Sequence, residues 1–287
     1  MLSAFNALSK EYIDFKRGFN IENKPILKED NNGNRIFFYS GANIYQFNSR
    51  FFESKDAKRS SKLLWIEKED LKKVLTTKYD QCQTERIIYR SISCSADQRT
   101  MISTLSPKNS YWTSTLFVNS EKEPISLYKK LFIISIFNSL TFDFLLRRFV
   151  NITLVNSCLY QCSMPQPEEK DILDNPLYLT LVKNTALLIA KNDPLNFSNL
   201  IYLEHFEFSK EEIHKILNLD PKDEFFKEKE NENNFIVASL YSLTKEDFVT
   251  LLNDFRVIRN KKGEKYILSL VEGYENYLRR ARKYNAA

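Results

Sequence analysis

The chain has 287 residues, 43% of them apolar and 28% charged, a balance that excludes a disordered tail or a collagen-like polymer and allows one large domain or two ordinary ones. Its five glycines, at positions 18, 33, 41, 263 and 273, do not cluster as the phosphate-cradling loops of Rossmann and P-loop enzymes require. Lys plus Arg exceed Asp plus Glu by 42 to 37, a net charge of +5 that is compatible with a polyanionic partner but by itself speaks only to solubility.

Up to about residue 120 the chain reads as strand-rich. Arg35-Ile-Phe-Phe-Tyr39 follows the turn signal Asn31-Asn-Gly-Asn34, and Ile44-Tyr-Gln-Phe47 follows Gly41, which predicts a hairpin. Leu63-Leu-Trp-Ile66 predicts a strand, and Glu67 to Leu75 switches to helical spacing. Arg86 to Ile92, Met101 to Leu105 and Ser114 to Val118 complete a set of short strands. From Pro124 the apolar period lengthens: Leu127, Leu131, Ile134, Leu140, Phe144 and Leu145 share one broad face and predict a single long core helix ending at Arg147-Arg148. Asn151 to Tyr160 reads as a strand, and Met164-Pro-Gln-Pro-Glu-Glu-Lys170 as a boundary.

Beyond that boundary the pattern is helical, over Asn175 to Asn192, Lys210 to Leu217, around Phe235 to Leu240, and over Glu264 to Tyr284. Ser209-Lys-Glu-Glu212 and Thr244-Lys-Glu-Asp247 have the form of capping boxes, a hydroxyl before the first turn and an acid three residues later. Lys222 to Asn234 is charged enough to predict a solvated helix or a mobile loop. The expected fold class is α+β: a strand-rich N-terminal domain with a long core helix over residues 1–165, then a helical C-terminal domain over 166–287. The longest uncharged apolar stretch, Leu131 to Phe142, falls short of the roughly 20 residues that span a bilayer. With no secretion signal at the N-terminus and too few cysteines for a disulfide scaffold, a cytoplasmic protein with no membrane partner is expected.

Catalytic chemistry has little raw material. The two histidines read as a packing residue, His205, and an exposed helix residue, His214. Cys158 and Cys162 lie four apart in a predicted strand, without another Cys or His at zinc-ligand spacing, and read as buried structural thiols. Glu22-Asn-Lys24 and Glu53-Ser-Lys55 have the Glu-x-Lys form of metal-dependent nucleases but no partner acid ending a preceding strand. Asn175-Pro-Leu-Tyr178 approaches the Asn-Pro-Pro-aromatic loop with which amino-group methyltransferases hold a flipped adenine. With Leu177 in place of the second proline and no Gly-rich loop before it, the tetrapeptide reads as a helix start.

Positive charge is better organised. Lys55, Lys58, Arg59 and Lys62 lie in a serine-rich stretch, Arg86, Arg90 and Arg99 on or beside predicted strands, Arg147-Arg148 at the end of the long helix, and Arg279, Arg280, Arg282 and Lys283 near the C-terminus. Such clusters suit phosphate contacts, and Arg also reads guanine edges. The structural alternative is that basic residues complement helix ends, while Arg90 and Arg99 pin loops through ion pairs, with Asp97 or Glu85 as acids in reach.

One ordered constellation adds to this. Phe38-Tyr-Ser-Gly-Ala-Asn-Ile-Tyr-Gln-Phe47, Leu64-Trp65-Ile66, Tyr89-Arg90-Ser-Ile92, Arg99-Thr100-Met-Ile102 and Pro107 resemble, in order, the target-recognition half of large adenine-N6 DNA methyltransferases. The relatives are the Eco57I-like enzymes, including type IIG restriction-modification proteins and methyltransferases of phage-defence islands. Asn138-Ser139 followed by Phe142-Asp-Phe144 looks like the family's Asn-Ser-phenylalanine helix, and Met164-Pro165 like the proline segment after it. Leu240-Tyr-Ser-Leu-Thr-Lys-Glu-Asp-Phe248 and Leu252-Asn-Asp-Phe255 resemble the family's ending, so the resemblance covers most of residues 35–280.

The resemblance implies a sequence-specific double-stranded DNA recognition module, inactive as an enzyme alone, with AdoMet and the adenine chemistry on a methyltransferase or nuclease half outside this sequence. That half is either separately encoded or part of a longer protein. The implied DNA contacts are Lys55, Lys58, Arg59, Lys62, Arg90, Arg99, Arg147 and Arg148. The alternative is a protein-interaction subunit that docks such a partner through apolar helices around Tyr178 to Ile189 and Tyr266 to Tyr277.

Overall fold

The computed structural model describes residues 5–19, 35–51, 64–75, 82–120, 124–220 and 222–285. Among them the N-terminal part holds seven strands, β1 (Asp14–Arg17), β2 (Arg35–Tyr39), β3 (Leu64–Glu67), β4 (Arg86–Arg90), β5 (Ser103–Ser106), β6 (Ser110–Trp112) and β7 (Leu116–Ser120), with helix α1 (Lys68–Leu75) after β3. They form two sheets, ordered β1-β7-β4-β5 and β3-β2-β6. The first is antiparallel throughout, whereas in the second β2 runs antiparallel to β3 and parallel to β6.

Side-chain alternation explains why the central strands are apolar on both faces. Ile87 and Tyr89 of β4 and Phe117 of β7 point into the larger core, while Ile88, Leu116 and Val118 point into a smaller one with Ile36, Tyr39, Ile66 and Trp112. Gly18, just past β1, donates its N–H to Leu116 O, and a Cβ there would lie 2.2 Å from the Thr113 carbonyl oxygen. No larger residue fits that approach.

The larger core is built on α2 (Leu127–Phe137) and α3 (Leu140–Leu146). After them come α4 (Asn156–Leu159), α5 (Glu169–Asp174), α6 (Pro176–Asn192), α7 (Pro194–Phe197), α8 (Lys210–Asn218), α9 (Glu224–Leu240), α10 (Lys245–Asn253), α11 (Arg256–Lys262) and α12 (Glu264–Asn285). Helix α2 packs on the four-stranded sheet and on α6, α6 packs on α9, and α9 and α10 pack on α12. This hydrophobic cluster is continuous from Leu8 to Tyr274 and includes residues on both sides of position 165. The N-terminal segment joins it, with Leu8 N–H donating to Cys162 O and Met164 N–H to Asn6 O. Strand-rich first and helical second, the architecture is the α+β class expected. Both capping boxes form: Ser209 Oγ accepts from Glu212 N–H, and Thr244 Oγ1 from Asp247 N–H.

Several local expectations are corrected. The hairpin of residues 35–39 with 44–47 does not form, because Gly41–Asn43 is a 3-10 turn, Tyr45 pairs with Asn48, and the Ile44 carbonyl accepts from the Arg90 guanidinium. The single long helix is two: Ser139 caps α3 by accepting from Phe142 N–H, while the Asn138 side chain pairs with the backbone of Ser103 in β5. Residues 151–160 are not a strand; apart from a single bridge between Thr153 and Ile92 they form a loop and α4, which carries Cys158. The charged segment from Lys222 mostly becomes the solvated start of α9, and the end of that stretch is buried, with Asn234 Oδ1 accepting from Leu140 N–H. His205 is exposed, its ring meeting Tyr128 edge-on, and His214 is exposed as expected.

The thiols Cys82, Cys158 and Cys162 are buried, and only Cys94 is half-exposed. Burial pushes Cys82 and Cys162 up to about 12, which suppresses the reactive thiolate. A native thiol titration at pH 8 is expected to detect one fast thiol of four, Cys94. Raising the pH to 9 should leave Cys82 and Cys162 silent. Two or more fast thiols in the native protein would contradict the described core.

Candidate nucleic-acid interface

Two adjoining surface lobes share Tyr45, Phe51, Gln98 and Lys261 and together form one groove. Its floor comes from the turn after β2, the loop over 44–51 and the loop over 94–100; its walls come from the ends of α6, α9 and α11. Seven cationic side chains line it (Arg90, Arg99, Lys191, Lys222, Lys227, Lys261, Lys262) against two acidic ones, Asp97 and Glu230. Two other hollows among the described residues are mixed in charge. Lys10 and Lys129 face Glu11, Asp14, Glu168 and Glu169 in one, and Lys245, Arg279 and Arg282 sit with Glu246 and Glu275 in another.

The loops that form the floor are held from below by buried polar side chains. Gln46 Nε2 donates to Met101 O and Asn138 O, and Ser49 Oγ donates to Asp193 Oδ2 at 2.8 Å. Behind the 94–100 loop lies Asp143, fully buried in α3. Its carboxylate faces Arg99 Nε at 2.9 Å and Arg147 Nε at 3.1 Å, and accepts from Thr100 N–H. Arg147 also donates to the carbonyls of Ser95, Asp97 and Gln98, and its guanidinium lies over the Phe255 ring. This network fixes the loop to the helical layer with charge-assisted bonds.

The positions of the sequence-selected residues follow from this. Arg90 lines the groove; one guanidinium nitrogen donates to Ile44 O, and its buried Nε has no hydrogen-bond partner. Burial lowers the Arg90 pKa, opposed by the neighbouring Tyr45 and Asp97. Arg99 also borders the groove, but its side chain is 4% exposed and engaged with Asp143 and Asn138 O. The acid that Arg99 pairs with is thus Asp143, not Asp97 or Glu85. Arg147 is engaged in the same network, and Arg148 is exposed over the Phe144 ring, bordering a separate depression with Leu243 and Leu251. Lys55, Lys58, Arg59 and Lys62 lie outside the described residues.

Sequence reading missed Tyr45, Phe51, Lys261 and Lys262 as groove residues. Tyr45 and Phe51 stack with centroids 5.1 Å apart and planes 25° apart, and Lys261 reaches Gln98 Oε1 at 3.3 Å. Lys261 and Lys262 form a basic pair in the last turn of α11, where cations complement the helix C-terminus; that was the available signal. Among the described residues no cluster of His, Cys, Asp or Glu could hold a metal ion, and no helix is long and apolar enough to cross a membrane. Asn175 caps α6, its Oδ1 accepting from Leu177 and Tyr178 N–H, as expected of a helix start.

The fold and the groove define an α+β protein with a cation-lined surface channel bearing an aromatic pair. No known family profile matches the sequence, and no curated protein matches it. Among solved structures, the chain is similar in fold to part of a type IIL restriction-modification enzyme, MmeI, determined in complex with DNA. The likeness has a TM-score of 0.43 and 10% sequence identity and covers 86% of this chain. The chain spans 36% of that enzyme's length.

Proposed function

We propose that the chain is a sequence-specific double-stranded DNA recognition module, serving an adenine-N6 DNA methyltransferase or type IIG restriction-modification enzyme in phage defence within the cytoplasm. The observation that carries this is the one-sided groove, where six cations besides the Asp143-paired Arg99 face two acids around the stacked pair Tyr45 and Phe51. Lys222, Lys227, Lys261 and Lys262 hold phosphates, and the half-buried Arg90 at the groove reads a base edge. Arg99 and Arg147 act behind the surface by positioning the 94–100 loop. Arg148, Lys55, Lys58, Arg59 and Lys62 belong to the proposed contact set on charge alone. The AdoMet-binding and catalytic motifs stand on a methyltransferase or nuclease half; residues 1–165 supply Arg90 and the aromatic pair, and residues 166–287 supply the phosphate-contacting lysines.

Docking of a partner through the helices around Tyr178 to Ile189 and Tyr266 to Tyr277 is not favoured. Leu181, Val182, Ala186 to Ile189, Ile267, Leu270 and Tyr274 are buried in the chain's own core.

Incubating the protein with randomised duplexes at about 150 mM salt, where non-specific binding is only about 10⁻⁴ to 10⁻⁶ M, and sequencing the retained fraction tests the proposal. A single enriched motif is the expected result. Retention without enrichment, or no retention, overturns it.

A further inference from the structure

The stacked pair Tyr45 and Phe51 lies where the two lobes of the groove meet, and both rings are half-buried, so each keeps accessible surface. Their setting is unusual for loop aromatics. Tyr45 is locked by reciprocal backbone hydrogen bonds with Asn48, at 2.8 and 3.1 Å, across Phe47 in the left-handed region (φ 58°). The residues between and beside the rings, Gln46 and Ser49, are buried and hydrogen-bonded to α-helical and strand-side partners. Fixing two aromatic rings on irregular backbone with this many buried polar bonds costs conformational entropy that a merely solvated loop does not need to lose. Arg90, itself half-buried, borders the same lobe.

A fixed aromatic face beside cations is the chemistry that holds an unstacked nucleobase: the ring stacks on the base, and the cations take the flanking phosphates. We infer that the Tyr45–Phe51 face is a binding site for a single unstacked nucleobase of the strand lying in the groove. This rests on the DNA-recognition role proposed above and adds to it the state of the base that is bound. Arg90 supplies a donor for that base's polar edge. The unstacked base can come from a distorted duplex or from a single strand, and the chemistry recognised is the same.

The full chain is tested by fluorescence anisotropy with three probes: a fully paired duplex, the same duplex with one unpaired thymine, and the corresponding single strand. The unpaired-base duplex is expected to bind about tenfold tighter than the paired one, the scale of one base–aromatic stack. Tyr45→Ala should abolish that preference, whereas Tyr45→Phe should retain it, which separates loss of stacking from misfolding. With 5-iodouracil at the unpaired position, ultraviolet crosslinking is expected to map to Tyr45 or Phe51. A single strand that binds as tightly as the unpaired-base duplex, with the same Tyr45→Ala loss, supports the inference and assigns the source to free strands. Equal binding of paired and unpaired duplexes overturns the inference and leaves duplex recognition standing. Binding of none of the three probes overturns both.

Discussion

Replacing Asp143 with alanine is expected to destabilise the protein by about 3–5 kcal/mol, because it strips the counterion from two guanidinium groups held in the interior. Arg99 and Arg147 have side-chain exposures of 4% and 8%, and both point their Nε atoms at this one carboxylate. Without it, two like charges lie close together in a largely buried site, and Thr100 N–H loses its acceptor. Against a typical total stability of about 5–15 kcal/mol, such a loss removes about a fifth or more. Urea unfolding should show a lower midpoint with an unchanged slope, since the surface exposed on unfolding stays the same. Asp143→Asn, which keeps an acceptor oxygen but not the charge, should fall between wild type and alanine. A loss below about 1 kcal/mol for alanine would mean that the arginines find other partners and that the 94–100 loop is not held from beneath.

The second large effect concerns binding. The double substitution Lys261→Glu with Lys262→Glu is expected to cost only about 1–2 kcal/mol of stability, the lost complement to the α11 C-terminus, since both side chains are exposed. Duplex affinity should fall at least about 30-fold at 0.15 M salt, the loss of counterion release from two phosphate contacts, with repulsion adding to it. The slope of log affinity against log salt should flatten by about 2, and the loss should be uniform across duplex sequences. Arg90→Ala provides the contrast: a donor to a base edge, when removed, relaxes one position of the target by about 1–3 kcal/mol. An unchanged salt slope in the double variant would remove α11 from the interface.

Much of the fold was legible in the sequence, and the failures share a cause. Strands with apolar runs, such as Arg86–Arg90, and helices opened by capping boxes, such as Lys210–Asn218 and Lys245–Asn253, carry their own signals. Strand β1, Asp14-Phe-Lys-Arg17, carries one apolar residue and exists because it pairs with β7. The break between α2 and α3 falls inside an unbroken periodic pattern, and its reason is that Asn138 pairs with Ser103, 35 residues away. The groove was half visible: Arg90 and Arg99 stood out by charge, but what separates the surface-facing one from the anchored one is the buried Asp143. Lys261 meets Gln98 across 163 residues, a proximity no local pattern encodes.

The anchoring of the groove loops limits how a binding preference could be moved between homologous chains. Transplanting only the 40–51 and 94–100 segments would carry the half-buried rings and Arg90's surroundings but strand their supports, because Asn138, Asp143 and Asp193 belong to the helical layer. A graft that keeps its shape must bring those three residues along, so the unit of exchange is discontinuous in sequence even though the surface it presents is a single patch.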